Sequence, residues 1–208
     1  MGFFITFEGC EGSGKSTQLR LLTEYLKQNN VDFVFAREPG GTAISERIRE
    51  IILDKSNAQM SDECEALLYA SARAQLLSEV VAPALKQGKL VILDRYIDSS
   101  FAYQAFARGL GFDYVSSINE FALKNFMPDL TIFLNIDPKS AFLRKGGVDE
   151  SDRLELAGME FHTKVYNGYM ELSKMFKERF ALIDCSGTKF ETHQNIINLL
   201  KDRGIIVD

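Results

Sequence analysis

Short apolar runs alternate along the chain with longer segments whose apolar residues recur every three or four positions. Five of the short runs are rich in β-branched and aromatic residues, a composition typical of strands. These strands are predicted at about 3–8, 31–37, 89–93, 130–135 and 180–185. The longer spacing predicts helices at about 16–29, 43–54, 61–87, 98–108, 113–126, 154–178 and 190–202. We expect Pro83 to end or kink the third helix, because proline cannot donate a helical hydrogen bond.

The alternation of strands and helices predicts an α/β fold. Strands that are connected through helices pair in parallel, with right-handed crossovers, in a doubly wound sheet. At 208 residues the chain suits one domain, 1–208, and no linker or repeat divides it. Such sheets bind ligands at the carboxyl ends of their strands, so the residues that follow the strands are the candidates for a functional site.

A complete phosphate-binding motif follows the first strand. The segment from Gly9 to Ser16, GCEGSGKS, matches G-x-x-x-x-G-K-[ST] and lies between a predicted strand and a predicted helix. Its glycines allow backbone N–H groups to point into one concavity, and the helix N-terminus adds its positive dipole end. Lys15 would reach the outer phosphates and Ser16 would ligate Mg²⁺. The candidate ATP-binding residues are Gly9, Cys10, Glu11, Gly12, Ser13, Gly14, Lys15, Ser16 and Thr17.

Composition and charge argue against several classes of protein. The net charge of -5 disfavours a broad nucleic-acid surface, which needs a basic face. No apolar run reaches the ~18 residues of a membrane span, and the N-terminal run is too short for a signal peptide. Three widely separated cysteines, Cys10, Cys64 and Cys185, offer neither a disulfide framework nor a zinc site. We therefore expect a cytoplasmic protein that binds neither nucleic acid nor membrane.

The residues after the third strand narrow the class of P-loop protein. Asp94 can serve as a Mg²⁺ ligand, but Arg95 stands where a hydrolytic ATPase commonly has a second carboxylate. The guanine-reading motif Asn-Lys-x-Asp is absent, which counts against a GTPase switch. Arg73 and Arg95 could hold a second phosphorylated ligand, because guanidinium groups match phosphate oxygens. This pattern is typical of a kinase that acts on a small phosphorylated acceptor.

Several motifs resemble those of the thymidylate kinase family. They are Arg37–Thr42 (REPGGT), Tyr69–Gln75 (YASARAQ) and Asp94–Tyr96 (DRY), and Phe161–Tyr169 resembles the family's F-x-x-x-V-x-x-G-Y helix. The likeness extends from Phe4 to the C-terminal helix. It implies a three-layer P-loop kinase fold, in which helices flank a five-stranded parallel sheet that carries a short lid. It also implies Mg²⁺-dependent transfer of the γ-phosphate of ATP to dTMP, giving dTDP, by a homodimer.

The resemblance further assigns residues to the acceptor site. Tyr69 would stack on the base, and Arg73 would contact a thymine carbonyl. Arg95 would hold the acceptor phosphate, while Tyr103 would crowd the sugar 2′ position and favour deoxyribose. The other substrate-binding candidates are Glu8 near Mg²⁺ and the sugar, Arg37 and Pro39 in the REPGGT segment, and Ser99 and Ser100 near the base edge.

A lid is expected at about 140–155. Because the variable P-loop positions carry no basic residue, the resemblance implies that lid arginines assist Lys15 and Arg95 in catalysis. The candidates are Arg144 and Arg153, the second of which lies in a run similar to the family's D-R-x-E. Where relatives often have several arginines, 146–151 reads GGVDES, and its two glycines would suit a hinge.

Two alternative functions remain open at this point. The acceptor could be another nucleotide such as dUMP, or a deoxynucleoside, because one methyl group provides only ~1–3 kcal/mol of discrimination. The chain could also be a non-catalytic ATP-binding regulator that uses lid closure as a switch. A regulator of this kind would bind ATP tightly without acceptor-dependent turnover.

Overall fold

The computed structural model describes residues 2–145 and 158–207. Five parallel strands form one sheet, and their order across it is β2-β3-β1-β4-β5. The strands are β1 (Phe4–Glu8), β2 (Phe33–Arg37), β3 (Leu90–Asp94), β4 (Leu130–Asn135) and β5 (Phe180–Asp184). The predicted five-stranded parallel sheet is confirmed. The largest difference is at β2, which begins at Phe33 rather than at Val31.

Helices cover both faces of the sheet. They are α1 (Lys15–Gln28), α2 (Ala43–Leu53), α3 (Asp62–Leu76), α4 (Ala82–Lys86), α5 (Ile97–Ser100), α6 (Phe112–Ile118), α7 (Glu120–Asn125), α8 (Pro138–Lys145), α9 (Gly158–Met175) and α10 (Lys189–Asp202). A 3₁₀ turn, Lys55–Asn57, follows α2. Among residues 2–145 and 158–207, no helix is both long enough and apolar enough to cross a membrane.

The central strand β1 contributes side chains to a hydrophobic core on each face of the sheet. Ile5 and Phe7 pack in the core that includes α1 and α10, whereas Phe4 packs in the core that includes α9. Burial of each large apolar side chain contributes roughly 1.5–3 kcal/mol relative to exposure. The strand is therefore fixed from both sides, and the loop after Glu8 starts from a rigid point.

The carboxyl ends of β1 and β3 lie side by side. Phe7 pairs in register with Asp94, and the chain leaves β1 toward β2 but leaves β3 toward β4. Connections that leave two neighbouring strands in opposite directions open a crevice at the ends of these strands, and α/β proteins bind their ligands in this crevice. The P-loop and the segment after Asp94 therefore meet at one crevice.

The predicted helix at 61–87 does not end at Pro83. It passes through a π turn at Leu77–Val81 and continues as α4 to Lys86. Pro83 lies in the first turn of α4, where the N–H group that proline lacks is not required. The predicted helix at 98–108 also contains a π turn, at Phe101–Ala107, directly after α5.

The predicted helix at 113–126 is divided at Asn119 into α6 and α7. Asn119 Nδ2 donates a hydrogen bond to Val115 O, and Asn119 Oδ1 accepts one from Arg73. Asparagine side chains compete with the backbone for hydrogen bonds and so favour helix ends. The break therefore lies where this side chain reaches the interior of the protein.

Candidate active site

The P-loop curls around an open cavity between β1 and α1. Gly12 and Gly14 have φ values of 75° and 92°, a left-handed conformation that glycine adopts without steric cost. A Cβ atom at Gly12 would collide with the carbonyl of Ala141, so the loop lies directly against α8. This P-loop cavity is lined by Cys10, Glu11, Gly12, Ser13, Gly14, Lys15, Ser16, Thr17 and Arg144.

Lys15 opens α1 and is only 9% exposed. Its Nζ donates a hydrogen bond to Gly9 O at 3.4 Å. Burial lowers the pKa of Lys15, and the positive charge of Arg95 lowers it further, while the carboxylates of Asp94 and Glu11 act in the opposite direction. Phosphate groups in the cavity would add negative charge beside this amine and favour its charged form.

Asp94, the last residue of β3, has a carboxylate oxygen without a partner. Its Oδ1 is buried and makes no hydrogen bond within the described part of the chain, although buried polar atoms are nearly always bonded. In the P-loop, Ser13 Oγ is likewise unpaired there, and Ser16 is exposed in the lining of the cavity. Carboxylate and hydroxyl oxygens suit Mg²⁺, which commonly keeps several waters and binds substrate phosphates.

Glu8 is a fully buried carboxyl group at the end of β1. Its Oε1 accepts hydrogen bonds from Tyr96 N at 2.8 Å and Ser99 N at 3.3 Å. Its Oε2 accepts from Ser99 Oγ at 2.6 Å and from the Tyr169 hydroxyl at 2.8 Å. Burial, reinforced by a neighbouring aspartate, raises the pKa of Glu8 to about 7, while Arg95 and the hydroxyl groups oppose this shift. The carboxyl group thus joins β1 to the segment after β3 and to α9.

Arg95 follows β3 directly and has a left-handed backbone conformation, with φ of 68°. This conformation costs a non-glycine residue roughly 1–2 kcal/mol, and Arg95 N donates to Phe7 O at 2.9 Å to hold it. Its Nη2 donates to Glu11 Oε1 at 2.7 Å and its Nη1 to Ser99 Oγ at 3.3 Å. The guanidinium carbon lies 5.3 Å from the centre of the Tyr103 ring. The cation is therefore held between the P-loop and an aromatic side chain.

A second pocket, which we name the acceptor pocket, opens beside Arg95. It brings together six of the predicted substrate-binding residues: Pro39, Tyr69, Arg95, Ser99, Ser100 and Tyr103. Glu11 also lines the acceptor pocket, so this pocket adjoins the P-loop cavity. Tyr103 is buried, and burial raises the pKa of its hydroxyl group above the ordinary value. A neutral phenol is therefore available in the pocket wall at neutral pH.

Five further lining residues were not identified from the sequence: Glu38, Arg49, Leu53, Gln104 and His162. The sequence could have indicated Arg49 as a site residue, because it is a basic residue on the helix that follows the REPGGT segment. Its Nη1 donates to Pro39 O at 3.1 Å. Gln104 lies on the π turn, where helical spacing does not reveal which side a residue faces.

Arg73 and Arg37, two predicted substrate-binding residues, do not line the acceptor pocket. Arg73 is 1% exposed, and its Nε and Nη2 lie 2.9 and 2.7 Å from Glu38 Oε2. Its Nη1 donates to Asn119 Oδ1 at 2.6 Å. Arg73 thus lies beneath the pocket and reaches it through Glu38, whereas Arg37 is exposed and binds both carboxylate oxygens of Glu46. Direct contact of either arginine with the acceptor stays a prediction.

Part of the predicted lid lies within the described residues. Helix α8 brings Arg144 to the P-loop cavity, and Arg144 Nη2 donates to Ser186 O at 3.3 Å. Arg153, the GGVDES segment and the D-R-x-E-like run lie outside the described residues. The catalytic role of Arg153 therefore stays a prediction.

Comparisons with known proteins cover almost the whole chain. The family model for thymidylate kinase matches residues 7–196. A thymidylate kinase from Bacillus velezensis is 48% identical over 203 residues, which cover 97% of this chain and 96% of the relative. Another, from Thermoanaerobacter sp. (strain X514), is 46% identical over 200 residues, with coverage of 96% and 98%. The crystal structure of thymidylate kinase from Ehrlichia chaffeensis is similar with a TM-score of 0.77 and 31% identity, covering 96% of this chain and 98% of that one.

Proposed function

The chain belongs to the thymidylate kinase family, and from this premise we propose that it transfers the γ-phosphate of ATP to dTMP where the P-loop cavity meets the acceptor pocket. It is a phosphotransferase, and its product is dTDP. The observation that carries the proposal is the position of Arg95. This residue lines the acceptor pocket, and its Nη2 lies 2.7 Å from Glu11 in the P-loop. A phosphate bound by Arg95 would therefore approach a triphosphate bound by the P-loop.

The acceptor needs no general base. The second pKa of a phosphate monoester is near 6, so at neutral pH dTMP is already an anionic nucleophile. A dTMP phosphate oxygen bonds to the γ-phosphorus while the bond from that phosphorus to the bridging oxygen of ADP breaks. The two reactants repel each other, so catalysis consists of alignment and charge neutralisation. Lys15, Arg95 and the P-loop N–H groups supply positive charge, and Arg144 would add to it from α8.

Mg²⁺ would be held by Ser16 and Asp94. The proposal is supported by the unpaired Asp94 Oδ1 and by the exposed Ser16 side chain in the P-loop cavity. When bound, Mg²⁺ neutralises charge on the β- and γ-phosphate oxygens. Asp94 would hold the ion from the end of β3, while Ser16 would fix it relative to the phosphates.

The acceptor pocket would hold dTMP by its base, sugar and phosphate. Tyr69 would stack on the base, and Tyr103 would pack against the sugar on the side that bears the 2′ hydroxyl in ribonucleotides. Ser99 and Ser100 add hydroxyl groups to the same wall. Arg73 would support this wall through Glu38, and direct contact of Arg73 with the base requires exchange of one of its present hydrogen bonds.

We further propose that the chain acts as a cytoplasmic homodimer with a lid at about 140–155. Ile44, Ile51 and Leu67, on α2 and α3, are 52%, 47% and 48% exposed, and apolar surface of this kind is commonly covered by a partner. Cys64 is an exposed free thiol, which suits a reducing compartment. Arg144 at the P-loop cavity supports the position of the lid.

Product analysis tests the proposed reaction. The protein is incubated with ATP, Mg²⁺ and either dTMP or thymidine, and the nucleotides are separated by anion exchange. Equal amounts of ADP and dTDP are expected with dTMP, and no product is expected with thymidine, which lacks the phosphate that Arg95 would bind. Lys15→Met should abolish both products. ADP without dTDP would indicate hydrolysis and would contradict the proposal.

A further inference from the structure

Glu65 is a fully buried carboxylate in the first turns of α3, behind the wall of the acceptor pocket. Its Oε1 accepts a hydrogen bond from Gln104 Nε2 at 2.8 Å. Gln104 is itself buried, with 2% exposure, and lines the acceptor pocket. The pair therefore connects the interior of the protein to the surface that a nucleotide base would touch.

Arg108 fixes the position of this carboxylate. Arg108 Nη2 lies 3.0 Å from Glu65 Oε2, and Arg108 Nε lies 3.4 Å from Glu65 Oε1. The same guanidinium group contacts Asp62 at 3.3 Å and lies 4.7 Å from the centre of the Phe161 ring. Buried carboxylates of this kind are stable only when they are paired. Glu65 is thus bound by Gln104 of the π turn at Phe101–Ala107 and by Arg108, the residue that follows this turn.

The chemistry of Glu65 determines which way the Gln104 amide faces. A carboxylate accepts hydrogen bonds and donates none, so only the NH₂ end of the amide can face Glu65. Because Gln104 lines the acceptor pocket and its Nε2 is bonded to Glu65, the oxygen end, Oε1, is the end of the amide that remains for a ligand. An acceptor in the pocket lining favours a ligand that donates a hydrogen bond at this point.

We propose that Glu65 is a positioning residue for base selection, which acts by holding Gln104 Oε1 toward the acceptor pocket. The proposal rests on the function proposed above and names the class of base. Thymine and uracil carry an N3–H donor at the pairing edge. Cytosine N3 is an acceptor, so it would repel Gln104 Oε1 and form no hydrogen bond with it. Glu65 thereby favours the imide-containing pyrimidines over cytosine, and it does not distinguish dTMP from dUMP.

The spacing along α3 agrees with this role. Glu65 and Tyr69 are four residues apart, so they share one face of the helix. The same helix would then supply both the stacking surface for the base and the group that orients its edge contact. A change at Glu65 should alter base selection, whereas a change on the opposite face of the helix should not.

The test compares kcat/KM for dTMP with kcat/KM for dCMP in wild type, E65Q, Q104M and E65Q/Q104M. E63Q is the matched control, because Glu63 lies in the same first turn but is exposed. We expect E65Q to lower the dTMP-to-dCMP ratio at least about tenfold, because Gln104 can then turn and offer its NH₂ group to cytosine. Q104M should lower the ratio as well, E63Q should leave it unchanged, and E65Q should add nothing in the Q104M background.

Several results would overturn the proposal. One such result is a dTMP-to-dCMP ratio in folded E65Q that equals the wild-type ratio. Another is that E65Q lowers the ratio as much in the Q104M background as it does in wild type, which would mean that Glu65 does not act through Gln104. If E65Q does not fold, E65D replaces it in the test. E65D retains the charge on a shorter side chain and should also lower the ratio, and an unchanged ratio in E65D would contradict the proposal. Absence of dTMP turnover in wild type would instead overturn the function on which the proposal rests.

Discussion

Glu11 Oε1 accepts a hydrogen bond from Arg95 Nη2 at 2.7 Å, and this contact links the P-loop to the acceptor pocket. The Glu11 side chain is 41% exposed and that of Arg95 is 17% exposed, so solvent reaches the pair. Solvent around the Glu11 carboxylate screens the ion pair and weakens it. An incoming phosphate can therefore share or replace the carboxylate at little cost, and Arg95 is placed to serve both substrates.

Arg95→Met should separate acceptor chemistry from ATP binding. We expect kcat/KM for dTMP to fall by about 10²–10³, because the variant loses a cation aimed at the reacting phosphates. ATP should still raise the melting temperature, because Lys15 and the P-loop N–H groups remain. Arg20→Met is the matched control, since Arg20 is exposed and forms an ion pair with Glu24 on the same helix. Loss of ATP binding in Arg95→Met with normal dTMP binding would contradict the assignment.

Asp94→Asn should weaken the response to Mg²⁺. The substitution keeps the shape of the side chain and removes the charge of the proposed ligand, so the Mg²⁺ concentration for half-maximal rate should rise by about tenfold or more. Chelation of the metal should abolish turnover in both proteins. Asp32→Asn, at a residue 73% exposed, should behave as wild type. An unchanged Mg²⁺ response in Asp94→Asn would remove Asp94 from the metal site.

The buried pair of Arg73 and Glu38 should show strong coupling. Their side chains are 1% and 3% exposed, so Arg73→Met leaves an unpaired carboxylate and should lower the free energy of unfolding by ~3–5 kcal/mol. Glu38→Gln in the same chain should return part of this loss, because it removes the unpaired charge. Urea denaturation measures both effects. Additive losses in the double variant would show that the two side chains are not coupled.

Glu8 should make the ligand-free protein less stable as the pH rises. Its pKa is raised from 4.5 to about 7, so between these values the folded state binds more protons than the unfolded state. The free energy of unfolding therefore falls as pH rises through this window. Glu8→Gln does not titrate, so wild type should lose up to ~3 kcal/mol relative to the variant by pH 7. Urea denaturation at a series of pH values tests this, and parallel curves for the two proteins would contradict it.

The strands were predictable because each is a short apolar run with turn-forming residues at its ends. The π turns at Leu77–Val81 and Phe101–Ala107 were not, because one extra residue in a turn keeps the apolar spacing close to that of an α-helix. The break at Asn119 depends on its contact with Arg73, which is 46 residues away along the chain. Such a contact exists only after the tertiary structure has formed.

The P-loop and the acceptor pocket also differ in how far the sequence alone could predict them. The P-loop is one contiguous segment, so a single motif predicted its residues, and those from Cys10 to Thr17 line the P-loop cavity. The acceptor pocket draws on several elements, and the contact of Gln104 with Glu65 carries no local signal in the sequence. The i, i+4 spacing of Tyr69 and Arg73 indicated a shared helix face, but it could not show that Arg73 lies beneath Glu38.

The acceptor dependence of ADP release tests the central claim most directly. Initial rates are measured with ATP and Mg²⁺ against dTMP, dUMP, dCMP, dGMP, AMP and thymidine, under identical conditions. We expect the highest kcat/KM with dTMP, a lower value with dUMP, and negligible rates with the purine nucleotides and thymidine. Turnover of a purine nucleotide in preference to dTMP would contradict the proposed binding of dTMP in the acceptor pocket. ATP binding without turnover of any acceptor would contradict catalysis itself and would favour a regulatory switch.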